Sequence, residues 1–104
     1  MSDLVIVLTT ITDEAADELA RALVDERLAA CVNIHTSMVS TYRWKGALER
    51  ERERQVVIKT AADRLPALER RIRELHPYEL PELIVLRPES ASAAYEAWVR
   101  EQTQ

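Results

Sequence analysis

The chain carries one thiol and two imidazoles, Cys31, His35 and His76. A zinc centre of four cysteines, or of two cysteines and two histidines, therefore cannot be assembled within one chain. A metal site here has to draw on carboxylates, backbone, water or other subunits. His76 is the best placed of the three, because it opens the stretch HPYELPE, residues 76–82, in which Glu79 and Glu82 follow at short spacing. An imidazole with carboxylate oxygens is a nitrogen-and-oxygen set that copper(II) accepts, and copper binds most such sets more tightly than neighbouring divalent ions do. His76, Glu79 and Glu82 are thus the candidate ligands for Cu(2+) or another divalent cation. The same histidine, preceding a proline after an amphipathic run, also reads as a helix-end group whose charged form the helix dipole favours.

Cys31 follows LAA and suits a small buried hydrophobe, since free cysteine is among the most buried residue types. His35 lies two strand steps further along the same face, too far to pair with it directly. No base stands in register beside Cys31 and no nucleophile and base pair is recognisable elsewhere, so the sequence points away from an enzyme. Lys59 stands alone in the apolar run QVVIKT. Its ammonium must reach water, a carboxylate such as Glu82, or a bound anion; the ion pair with Glu82 is the expected outcome. The aromatic residues are Tyr42, Trp44, Tyr78, Tyr95 and Trp98. Tyr42 and Trp44 read as interface core, and Lys59, Tyr78, Glu82 and Trp98 as the wall of any cleft between subunits. Gly46 is the only glycine, which leaves no glycine-rich loop for a phosphate. A net charge of −4 without a basic block argues against nucleic acid.

The elements that position these residues follow from periodicity. LVIVLTT, Leu4 to Thr10, is a continuous β-branched and leucine run, as in a strand covered on both faces. Thr12 is placed to cap a helix with Asp13 and Glu14 in its first turn and Ala16, Leu19, Ala20, Leu23 and Val24 at helical spacing. Cys31 to Trp44 reads as the first arm of a long hairpin, turned at Gly46. In ERERER, residues 49–54, period two puts Glu49, Glu51 and Glu53 on one strand face and Arg50, Arg52 and Arg54 on the other. Asp63 reads as the cap of a second helix with Pro66 in its first turn and a stripe of Leu65, Leu68, Ile72 and Leu75. Pro77 ends that helix at His76, and Pro81 biases Leu80 toward extended geometry before the strand Leu83 to Leu86. Ser90 or Ser92 begins a last helix with Ala94, Tyr95, Trp98 and Val99 on one face.

The order βαββαβ with one more helix predicts an α+β fold, a ferredoxin-like sandwich with a long β-hairpin. With no linker or repeat, residues 1–104 are expected to form a single domain. Two helices cannot cover both faces of such a sheet, which makes self-association the simplest remedy. One cysteine forms no intrachain disulfide, and the N-terminal run is too short for a membrane span. A cytoplasmic setting is therefore expected.

Taken together, DEAADELARALVDERLAACVNI, STYRWKG, the glutamate run into VVIKT, LHPYELPE and AYEAWV resemble the CutA family of divalent-ion tolerance proteins, in that family's order and from about Leu4 to Trp98. The resemblance implies a ferredoxin-like protomer in a tight homotrimer built on its long strands, similar in architecture to the PII signalling proteins. It also implies a connection with tolerance of copper and other divalent metals, and copper binding. Where some members have a second histidine and a cysteine, this chain has Leu75 and Thr9. A PII-like regulatory module that takes a small ligand or partner protein between subunits is the alternative such an architecture implies.

Overall fold

The computed structural model describes residues 3–104. β1 (Leu4–Ile11) leads into α1 (Asp13–Asp25), and β2 (Cys31–Ile34), β3 (Met38–Trp44) and β4 (Ala47–Ala61) follow. A 3-10 turn (Ala62–Arg64) enters α2 (Leu65–Leu75), and β5 (Ile84–Leu86) and α3 (Ala93–Gln102) come last. All strand pairs are antiparallel in the order β2-β4-β1-β5, with β3 paired to the outer half of β4. This is the ferredoxin-like arrangement expected, with the β3 and β4 hairpin as its arm.

Local chemistry accounts for most boundaries. Thr12 is the extended N-cap of α1, though its side chain makes no cap bond. At the other end Arg27 takes a left-handed φ of 59°, while Arg27 N–H reaches Val24 O and Leu28 N–H reaches Leu23 O. That is a Schellman closure with arginine where glycine is usual. The hairpin turns through Lys45 and Gly46, whose φ values are 49° and 84°, the paired positive dihedrals that a two-residue turn between twisted strands requires. Ser92 caps α3, its Oγ accepting from Tyr95 N–H at 3.1 Å.

Three expectations need correcting. Asp63 does not cap α2; it sits inside the preceding 3-10 turn, and the N-cap is Arg64. Cys31 to Trp44 is not one strand: Ile34 faces Val56 but Met38 faces Glu53, an advance of four residues against three, so one extra residue bulges between β2 and β3. The α3 stripe is also shallower than expected, with only Val99 buried.

α1 and α2 cover one sheet face. Leu19, Leu23, Leu68 and Ile72 pack there with Val7, Ile11, Val56 and Ile58, each such side chain contributing roughly 1.5–3 kcal/mol on burial. The opposite face is open except at one end, where Val99 of α3 meets Leu4 and Ala30. Register defines its rows. One crosses Cys31, Lys59, Ile6 and Leu86, and the next Asn33, Val57, Leu8 and Ile84. Ile84 and Leu86 are each 46% exposed.

Candidate functional site

Residues 76–82 leave α2 and run beside the end of β1 and the base of the arm. His76 is the C-cap of α2, with an extended backbone, as a residue before proline should be. Its ring is buried. Nε2 lies 2.8 Å from Thr10 O, and since a carbonyl only accepts, Nε2 carries a proton and donates it. Nδ1 accepts the Tyr78 backbone N–H at 3.2 Å, so it carries none. The pair of bonds fixes a neutral tautomer. Burial pushes the His76 pKa below its ordinary value, against the opposing pull of the Thr10 bond and of Glu53.

Tyr78 closes the loop onto the arm. Its ring meets that of His76 edge-on at 4.6 Å, and its hydroxyl donates to Glu53 Oε2 at 2.8 Å. Burial and then the Glu53 bond raise the phenol well above its ordinary range. Glu53 is itself buried, placed there because period two sends it to the opposite side of β4 from Arg54. Glu79, further out, pairs with Lys45 at 3.2 Å where both side chains are largely exposed. Glu82 accepts from Gln55 Nε2 at 3.2 Å, and the same amide donates to Thr9 O at 2.8 Å.

His76, Glu79 and Glu82 thus face different partners. Among the described residues no three histidine, cysteine, aspartate or glutamate side chains lie close enough to hold a metal ion. For His76 to ligate a cation it must first give up the Thr10 or the Tyr78 bond. Within one chain these residues do not fit a closed metal centre.

The expected ion pair between Lys59 and Glu82 does not form. Lys59 Nζ donates instead to Asn33 Oδ1 at 2.6 Å, and Cys31 Sγ points at the same oxygen from 3.9 Å. Cys31 is only half-buried on the open face, not the core hydrophobe expected from LAA. Lys59 and Gln55 are four strand positions apart, about 13 Å, which is why Glu82, bonded at Gln55, cannot serve Lys59. Lys59, Tyr78, Glu82 and Trp98 therefore do not share one wall within a single chain. Trp98 pairs with Tyr95 at a ring separation of 5.6 Å on α3, while Tyr42 and Trp44 stand exposed on the arm.

Thr10, Glu53, Gln55 and Asn33 are the partners that sequence reading missed. For Asn33 a signal existed: in CVNI, alternation puts it on the face of Cys31, one pleat from Lys59.

Comparison with known proteins places this geometry. The family model for the CutA1 divalent ion tolerance protein matches residues 4–102. The divalent-cation tolerance protein CutA of Thermus thermophilus is 40% identical over 95% of this chain and 96% of its own. Human Protein CutA is 42% identical over 93% of this chain, which spans 54% of the human protein's length. The structure of the PII-like protein CutA from a Nostoc species superposes with a TM-score of 0.92 at 36% identity, covering 96% of this chain and 97% of that one. No helix among the described residues is long and apolar enough to cross a membrane. A family model spanning nearly the whole chain and relatives of this identity agree with the ferredoxin-like topology: the chain belongs to the CutA1 family of divalent ion tolerance proteins.

Proposed function

We propose that the chain serves metal-ion tolerance as a non-enzymatic cytoplasmic homotrimer that binds divalent cations, copper(II) foremost, at ligands completed between subunits. The family assignment supports the tolerance role. The observation that carries the shared-site reading is the pairing of two features: candidate ligands that do not close a site within one chain, and an open sheet face with Ile84 and Leu86 half exposed. Covering that face with second copies removes apolar surface from water and brings ligands of different chains together. Tyr42 and Trp44 on the arm add aromatic contact area to such a joint. This chain's contributions to the metal are Glu82 and Glu79, and His76 once it has released one of its two bonds. The single-domain reading of residues 1–104 belongs to the same proposal.

Native mass spectrometry of the protein during a copper(II) titration tests this, repeated with Glu82→Gln and His76→Ala. The expected result is a trimer that takes up copper to a fixed stoichiometry, lost in at least one variant. A monomer, or graded uptake to which both variants are indifferent, overturns it.

A further inference from the structure

The open sheet face holds a group that the cation reading leaves unused. In the two rows Cys31, Lys59, Ile6, Leu86 and Asn33, Val57, Leu8, Ile84, the one formally charged side chain is Lys59, in a chain with eighteen acidic residues. β4 is flanked on both sides by hydrogen-bonded strands, and the Lys59 ammonium leans over the sheet toward Asn33 of the edge strand β2. Among the described residues it makes no ion pair; its contact is the neutral Asn33 Oδ1 at 2.6 Å.

That contact determines what the cluster has left to offer. An ammonium only donates, so Asn33 must turn Oδ1 toward it and its amide nitrogen away. Oδ1 also faces the Cys31 thiol at 3.9 Å, which takes up the oxygen's accepting capacity. What remains is two ammonium hydrogens and the two hydrogens of Asn33 Nδ2. All are donors without a protein acceptor among the described residues, carried on a half-buried lysine and an exposed asparagine. Amide and ammonium donors on neighbouring side chains, with one positive charge between them, fit an acceptor-rich anion of at least two oxygens. When the face is covered, an uncompensated ammonium is costly, and an anion removes that cost.

We infer that Lys59 and Asn33, with Cys31 beside them, form a binding site for an oxyanion, a carboxylate or phosphate group. Its source is either a free small molecule or a carboxylate of a second copy of this chain. The site is independent of the cation proposal, because it uses neither His76, Glu79 nor Glu82.

The test is calorimetric titration of inorganic phosphate and of acetate into the full chain at fixed pH and ionic strength, with native mass spectra in parallel. The variants are Lys59→Met, Lys59→Arg and Asn33→Ala. A free anion gives saturable binding that Lys59→Met weakens about tenfold or more, the scale of one charge-assisted bond, and that Lys59→Arg partly restores. A carboxylate from a second copy gives no titratable binding, but a changed assembly mass in Lys59→Met that Lys59→Arg reverses. Asn33→Ala, at an exposed position, shows the same class of loss should Lys59→Met fail to fold. The site is overturned if neither anion binds and both Lys59→Met and Asn33→Ala keep the wild-type mass and melting point. It is equally overturned if binding is the same in wild type and variants.

Discussion

At the scale of single residues, His76 and Tyr78 act as a structural pair. His76 is held neutral by burial and by its two fixed bonds, so its folded pKa lies below the unfolded value of about 6.5. Below about pH 6.5 the unfolded chain then binds more protons than the folded one, and stability rises with pH in that window. The contribution is complete above the unfolded pKa and is lost as pH falls through the folded one. Melting curves from pH 7.5 down to pH 5 should therefore fall less steeply for His76→Gln than for wild type, and parallel curves would remove His76 from the account. Tyr78→Phe tests the other half, since it strips Glu53 of its phenol donor in a buried position. Chemical denaturation should show a loss of about 1–2 kcal/mol. The sequence disclosed that His76 ends a helix, because Pro77 enforces it locally. It did not disclose what the ring bonds to, because Thr10 lies 66 positions away and offers only backbone.

At the scale of elements, the arm tests how far local backbone preference sets the fold. Gly46 sits at φ +84° with nothing within 4 Å of where a Cβ would stand. Gly46→Ala therefore changes conformational preference without a clash, and should cost about 1 kcal/mol. A denaturation midpoint unchanged from wild type would show that the turn is not strained. Elements of this kind were legible because one residue type dictates them: the glycine turn, the proline that ends α2, the alternation that makes residues 49–54 a strand. Asp63 misled because a good capping residue can equally sit inside a 3-10 turn. The bulge between β2 and β3 was invisible because it follows from pairing to β4, and no residue in 35–37 advertises an extra position. Alternation along CVNI puts Asn33 on the face of Cys31, but the register to β4 that sets both beside Lys59 was not legible.

At the scale of the molecule, the sheet has one face filled by two helices and one that a single short helix covers at an end. On that open face Ile84 and Leu86, on the edge strand β5, retain nearly half their surface. Burying the remainder of such side chains is worth roughly 1 kcal/mol or more apiece, whereas a carboxylate placed there and covered without a partner costs several kcal/mol. In the two rows that hold Ile84 and Leu86, Lys59 is the one formally charged side chain. Leu86→Glu, in the row of Lys59, would bring an anion two strands from that ammonium and blur the result; Ile84→Glu, one row further on, has no cation in register. If copies of the chain assemble through this face, Ile84→Glu should give a folded monomer by native mass spectrometry, with wild-type far-UV dichroism but a lower melting point. Should the variant keep the wild-type assembly mass, Ile84 lies outside the joint, and the arm carrying Tyr42 and Trp44 becomes the surface through which the copies meet.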